Sequence, residues 1–111
     1  MRRNLFPFAA AVGLAGCLMA TVRSEHVLTG APRAAWAGPV RVVMEGSAAP
    51  GAYQEVAIVS ATGDGSEATL PAVIGALQRE AAALGCNALV RVRYDRGSSS
   101  ATATGVGVWM E

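Results

Sequence analysis

A chain of 111 residues has room for one small domain, because most of that length is needed to bury a hydrophobic core. Hydrophobic residues make up 52% of it, but many of these are alanine and aromatic residues are only 5%, so we expect a thin core. All nine basic residues are arginine. Without Arg2 and Arg3, seven arginines stand against eight carboxylates, a formal charge of −1. This balance argues against nucleic-acid binding, which needs a concentrated basic surface.

The amino-terminal segment has the layout of a secretory signal. Arg2 and Arg3 supply a positive start, residues 5–16 form a short alanine-rich apolar stretch, and small residues stand just before Cys17. Residues 14–17, LAGC, resemble the lipobox of bacterial lipoproteins at all four positions. The resemblance implies that a signal peptide, residues 1–16, is removed. Cys17 would then carry a diacylglycerol and a further acyl chain such as palmitate, which together give stable membrane anchoring.

Two further properties of this segment bear on location. Residues 5–22 form an uncharged run of about the length that spans a membrane, so an uncleaved membrane helix is the alternative, although Pro7 and Gly13 weaken it. In enteric bacteria an aspartate directly after the acylated cysteine retains a lipoprotein in the inner membrane. This chain has Leu18 at that position, which favours the outer membrane. We therefore expect a lipid-anchored protein of the bacterial cell envelope, in the outer membrane and facing the periplasm.

Residues 17–38 are predicted to be the lipidated N-terminus and a flexible tether, and residues 39–111 a single small domain. The tether region shows neither helical nor strand periodicity, and glycine and proline residues interrupt it.

Two strands are predicted next. Apolar residues alternate between positions 40 and 45, which is typical of a half-buried strand, and turn residues follow at 46–51. Residues 55–61, EVAIVSA, are apolar on both faces, which favours an interior strand. The short connection between the two predicts a β-hairpin.

A helix is predicted over residues 70–84. Thr69 is placed to cap its first turn, Pro71 is tolerated within that turn, and Gly85 can adopt the left-handed conformation that ends a helix. Apolar residues at spacings of three and four form one stripe: Leu70, Val73, Ile74, Leu77, Ala81 and Leu84.

The last two strands are predicted at residues 89–94 and 101–110, joined as a hairpin by the loop that begins at Gly97. One face of the last strand carries alanine, glycine and Trp109, and such small residues let another element approach closely, either the helix or a neighbouring subunit. The other face carries Thr102, Thr104, Val106, Val108 and Met110.

These elements predict an α+β fold, a two-layer β-β-α-β-β domain with one helix packed on a small mixed sheet. The helix makes a right-handed crossover that sets the second and third strands parallel. One helix covers one sheet face, so the other face is a candidate for self-association or partner binding. The residues expected to form the interaction surface are Thr102, Thr104, Val106, Val108 and Trp109.

Residues 76–97, ALQREAAALGCNALVRVRYDRG, and residues 103–109, ATGVGVW, resemble the YbjQ-like domains. In that family a helix ends in a leucine-glycine turn, and a VVGVRYD-type strand and a last strand rich in glycine, threonine and valine follow. Relatives include the Rcs stress-sensor lipoproteins and cytoplasmic ring pentamers often described as heavy-metal-binding. The stress sensors are held by paired disulfides, whereas here only Cys86 remains once Cys17 is acylated.

The sequence offers no catalytic or metal-binding constellation, and no cofactor is expected. The only histidine, His26, lies in the predicted tether, so Cys86 lacks a positioned base and is expected to be a buried thiol. One cysteine and one histidine so far apart do not make a metal site. Four carboxylates of the predicted domain are scattered singly and are expected to be solvated or capping residues: Asp64, Glu67, Glu80 and Asp95.

Two hypotheses follow for function. The first is a membrane-anchored lipoprotein that is not an enzyme and acts by binding another envelope protein or its own copies. The alternative is a ligand- or metal-binding envelope stress sensor that uses a crevice after the helix, at Gly85, Cys86 and Asn87.

Overall fold

The computed structural model describes residues 21–111, which form a five-stranded mixed sheet with one helix packed on it. The strands lie in the order β1-β3-β5-β4-β2. The predicted α+β class is confirmed, with one strand more than expected, while the predicted signal peptide and Cys17 lie outside the described residues. In chain order the elements are β1 (Thr21–Leu28), β2 (Arg41–Met44), β3 (Tyr53–Asp64), a short 3-10 helix (Gly65–Glu67), α1 (Leu70–Ala83), β4 (Ala88–Arg96) and β5 (Ser100–Met110).

Helix α1 forms where the spacing of apolar residues predicts it. The Thr69 hydroxyl accepts a hydrogen bond from the Ala72 backbone N–H at 3.3 Å, and proline occupies the first turn. Just beyond the helix Gly85 has a φ of +86°, a conformation that a side chain would strain. The stripe facing the sheet is fully buried at Val73, Leu77 and Ala81.

The sheet confirms one predicted hairpin and shows that the other is wrong. β4 and β5 pair antiparallel, as expected. β2 does not pair with β3, and instead lies at the far edge of the sheet, parallel to β4, with Arg41 opposite Ala88. The reason is that β1 and β5 occupy both sides of β3. β3 and β4 do run in the same direction, as predicted, but β5 lies between them.

Much of the predicted tether is built into the sheet. Thr21–Leu28 forms β1, which pairs antiparallel with β3 from Thr21 opposite Asp64 to Leu28 opposite Ala57. Nearly all of β1 is exposed, so its sequence needs no apolar alternation, and the strand is ordered by the backbone ladder that β3 offers. The prediction of a flexible tether is therefore wrong for these residues.

Residues 29–40, called the strap below, connect the two opposite edges of the sheet and pass the carboxyl end of α1. The Gly30 backbone N–H donates to the Val56 carbonyl oxygen at 3.0 Å. The Trp36 backbone N–H donates to the Ala82 carbonyl oxygen at 2.8 Å, which fastens the strap to the last turn of the helix. The folded unit thus reaches back beyond the predicted boundary at residue 39.

Small residues build the core between α1 and the sheet. Ala57, Val59 and Ala103 are fully buried there. A Cβ added at Gly107 would lie 2.7 Å from the Cys86 sulfur, closer than van der Waals contact allows, so glycine is needed at this position. The alanine and glycine face of β5 is therefore covered by α1 and the turn after it, and not by a neighbouring subunit.

Candidate functional site

The sheet face opposite α1, called the open face below, is arranged in rows by the strand register. Residues opposite each other on paired antiparallel strands point to the same side of a sheet. One row is apolar and crosses four strands through Val27, Ile58, Val106 and Val90. The next row consists of Glu25, Ser60, Thr104 and Arg93. The row beyond it consists of Arg23, Thr62, Thr102 and Asp95.

The apolar row is exposed at one end and covered at the other. Val27 is 65% exposed and Ile58 is 51% exposed, whereas Val106 is half-buried and Val90 is buried. The covered end lies under the loop between β2 and β3, where Ala49 packs against the row in a second, smaller core. The uncovered part is thus a strip of aliphatic side chains beside a band of hydroxyl groups.

Ion pairs stand at the borders of the open face. At the β1 edge, Arg23 Nη1 lies 2.9 Å from Asp64 Oδ2. Near the opposite edge, Arg93 Nε lies 3.6 Å from Glu45 Oε1. Exposed pairs of this kind contribute about 0–1 kcal/mol each, so their importance is for the character of the surface rather than for stability. An apolar centre with a charged, solvated rim is the composition of many protein–protein interfaces.

Three of the residues predicted to form the interaction surface lie on the open face. They are Thr102, Thr104 and Val106, all half-buried. Val108 points to the same side but is fully buried in the smaller core, beneath Tyr53. It is therefore not available to a partner.

Trp109, the remaining predicted residue, lies on the helix side of the sheet. Its ring meets the Trp36 ring edge to face, with centroids 5.4 Å apart. The Arg33 guanidinium carbon lies 4.3 Å from the centroid of the Trp109 ring, a cation–π contact. Trp109 therefore fastens the strap to the sheet and is withdrawn from the predicted surface.

Sequence reasoning missed the two most exposed members of the apolar row, Val27 and Ile58. Val27 fell in the predicted tether, where no periodicity marks it. Ile58 belongs to a strand that is apolar on both faces, and the sequence alone did not show which face would be covered. Alternation along β3 places Ile58 on the other face of the strand from its neighbours Ala57 and Val59, and this is the only local signal for its exposure.

The predicted crevice after the helix is occupied by structural interactions. The Asn87 amide nitrogen donates to the Met110 carbonyl oxygen at 2.6 Å, and its Oδ1 accepts from the Met110 N–H at 2.7 Å. Burial raises the pKa of the Cys86 thiol to about 11, although the nearby Arg33 charge lowers it. The thiol is thus protonated near neutral pH, a weak nucleophile and a weak metal ligand. A Cβ at Gly85 would collide with the strap at Arg33.

A groove of about 550 Å³ opens beside Asn87, between the strap and the loop that precedes β3. The Asn87 amide at its border is already bonded to Met110. Within residues 21–111 no three histidine, cysteine, aspartate or glutamate side chains come together as a metal site. The lining is mainly apolar and includes Trp36, Pro39, Val40, Pro50, Ala52 and Ala88.

A cluster of polar side chains joins β1 to α1. The Ser24 hydroxyl donates to Glu80 Oε1 at 2.6 Å, and His26 Nδ1 lies 2.6 Å from Glu80 Oε2. These hydrogen bonds, first from Ser24 and then from His26, lower the pKa of the Glu80 carboxyl against the opposing effect of burial. Serine and histidine both contact the carboxylate, so the arrangement fastens β1 and does not activate a nucleophile. Glu80 was predicted to be a solvated or capping residue, and instead it joins α1 to β1.

Comparison with protein-family models, curated proteins and solved structures finds no match to the chain. The similarities to the lipobox and to YbjQ-like domains accordingly stay predictions that depend on the quoted residues. No helix within residues 21–111 is both long and apolar enough to cross a membrane. Among residues 21–111, the open face combines exposed aliphatic side chains with hydroxyl groups and with ion pairs at its borders.

Proposed function

We propose that the protein is a lipid-anchored lipoprotein of the bacterial cell envelope, in the outer membrane and facing the periplasm. It acts non-enzymatically, by binding another envelope protein through the open face. The signal-like start and residues 14–17 support anchoring at Cys17. β1 begins at Thr21, four positions later, so the chain between anchor and domain spans at most about 14 Å. The domain is then held close to the membrane surface.

The exposed apolar row is the observation that carries the proposal. Single exposed aliphatic residues are ordinary, but Val27 and Ile58 lie side by side on paired strands and continue into Val106. Covering this row would remove aliphatic surface from water and so supply a driving force for association.

The chemistry around the row favours a protein as the occupant. Ser60 and the threonines of β5 offer hydroxyl groups that donate and accept hydrogen bonds beside the apolar strip. Arg23 and Arg93 are paired with Asp64 and Glu45, whereas Glu25 and Asp95 form no ion pair within residues 21–111. These two carboxylates would be repelled by anionic lipid. The open face is thus suited to a partner with an apolar patch and a polar, partly basic rim.

The binding surface is tested by photocrosslinking in intact cells with the full chain. A photoreactive residue at position 58 should give a discrete adduct with one envelope protein. Val27→Asp should reduce that adduct at least about tenfold, because partner binding would then bury an unpaired carboxylate. Position 70 is the matched control, since Leu70 is a similarly exposed aliphatic residue, 47% accessible, outside the open face. No adduct at position 58, or equal adducts at both positions, would overturn the proposal.

The anchor is tested separately by the intact mass of the membrane-extracted protein. We expect a chain without residues 1–16 that carries acyl groups, and loss of this modification in Cys17→Ser. An uncleaved and unmodified chain would contradict anchoring by lipid and favour a membrane helix over residues 5–22.

A further inference from the structure

β1 is an edge strand that pairs with β3 alone among the described elements. Its eight residues contain no proline, and its register against β3 has no bulge. Proteins usually protect an exposed edge by shortening it, by a bulge or by proline, because its outer row of N–H and C=O groups is a template for another strand. β1 has none of these three features, and its charged residues Arg23 and Glu25 restrict pairing to a strand whose charges match. Its outer side can therefore accept a complete strand of complementary charge.

We propose that a second copy of this chain pairs with the β1 edge, antiparallel about a two-fold axis at Ser24, and so joins two five-stranded sheets into one. A two-fold axis perpendicular to the sheet keeps each side chain on its own face. With the axis at Ser24, Arg23 of each copy lies opposite Glu25 of the other. Each dimer then contains two opposite-charge pairs across the joined strands, the arrangement that stabilises strand pairing.

The same two charges exclude the neighbouring registers. Moving the axis to Arg23 places the two arginines opposite each other, and moving it to Glu25 does the same with the two glutamates. Like charges directly opposite across paired strands are destabilising. The charge pattern of β1 is therefore self-complementary in one register, and this selects a second copy of the chain as the occupant.

Both charged groups are available for this contact. Glu25 is exposed and forms no ion pair with another residue of the 21–111 region. The Arg23 side chain is 66% exposed, and its contact with Asp64 uses one nitrogen of the guanidinium. An arginine has five N–H donors, so it can keep Asp64 on the inner side and receive a glutamate on the outer side.

The helices leave room for the joined sheet. α1 packs over β1, β3 and β5, with β3 in the middle, and Glu80 joins it to β1. With strands about 4.8 Å apart, a helix that lies over β3 is about 7 Å from the line midway between the two paired β1 strands. The axes of the two α1 helices would then be about 14 Å apart. Packed helices approach to about 8–10 Å, so the second copy fits without collision. The contact uses the edge of β1 and leaves both open faces free for the partner proposed above.

The register is tested by disulfide crosslinking of the full chain in membranes. Residues on the axis are opposite each other, with Cα atoms about 4.5–5.5 Å apart, within the range that a disulfide bridges. Ser24→Cys should therefore form a covalent dimer under mild oxidation. Val22→Cys, on the same face, is the matched control, because its two copies would lie about 13 Å apart along the joined strands. The proposal would be overturned if the two variants formed equal amounts of covalent dimer, or if neither formed any.

Charge exchange gives a second test in the Ser24→Cys background. Arg23→Glu alone and Glu25→Arg alone each place like charges opposite each other, so each should lose dimer about tenfold. A mixture of the two variants restores both opposite-charge pairs and should recover a mixed dimer, identified by a tag on one chain. Recovery also shows that the variants are folded, and its failure would contradict the register.

The proposed β1 dimer should form whether or not a partner binds the open face. Ile58→Asp, which should disrupt partner binding, lies outside the β1 edge and should leave the Ser24→Cys dimer unchanged. Loss of the dimer in Ile58→Asp would indicate association through the open face instead and would overturn the proposed contact.

Discussion

Replacing Asn87 by alanine should release the end of β5 from the turn after α1. The side chain makes two hydrogen bonds to the Met110 backbone, at 2.6 and 2.7 Å, in a partly buried position. Each such bond contributes about 1 kcal/mol net, so we expect a loss of about 2 kcal/mol in the free energy of unfolding. For a domain of this size that corresponds to a decrease in Tm of about 8–16 °C.

Thermal and urea unfolding of the purified full chain, followed by circular dichroism, measures this loss. Gln78→Ala is the matched control, since the Gln78 amide makes one hydrogen bond, to the Val40 carbonyl oxygen at 2.9 Å. It should lose about half as much. If Asn87→Ala were no less stable than Gln78→Ala, the paired hydrogen bonds would not be what holds β5, and the structural role given to the crevice residues would be refuted.

Three further predictions concern α1 and the core. Ser24 and His26 lower the pKa of Glu80 from 4.5, so its carboxylate stabilises the fold above that pH, and this effect is lost as the pH falls through the lowered pKa. Glu80→Gln should therefore reduce the loss of stability at acid pH, measured by urea unfolding at a series of pH values. An unchanged loss would contradict this. Gly107→Ala should cost about 1–3 kcal/mol in unfolding experiments, because its Cβ would meet the Cys86 sulfur. Adding Cys86→Ala should recover part of that loss, and strict additivity would argue against the contact. The buried Cys86 thiol, with a pKa of about 11, should react with a chromogenic disulfide reagent at pH 8 at the rate of unfolding, whereas immediate labelling would show that it is accessible.

The parts of the fold that could be predicted are those decided by neighbouring residues. α1 is specified by its apolar spacing, by Thr69 at its start and by Gly85 after its end. β1 could not be found in this way, because an exposed edge strand needs few apolar residues and is ordered by its partner. β2 was found as a strand, but its position was missed because it depends on β1 and β5 occupying both sides of β3.

The candidate surface was predictable to a similar extent. Alternation along β5 correctly separated the threonine and valine face from the alanine and glycine face. Alternation does not show what covers a face, and that decides the availability of Val108, which lies under Tyr53, and of Trp109, which packs against the strap. Ile58 and Val27 join the surface through strand register, which is a property of the whole sheet.

The strand order also sets the sequence of events by which the chain can fold. Only the β4–β5 hairpin joins consecutive strands of the described sheet, and every other pairing closes a longer loop, so we expect folding to be slower than for a domain of local contacts. As the chain emerges amino-terminus first, β1 stays without a partner until β3, which ends at Asp64, has followed it. During that interval Arg23 and Glu25 hinder pairing with unrelated strands, so the charges that select a register in the finished protein also guard the nascent chain against aggregation.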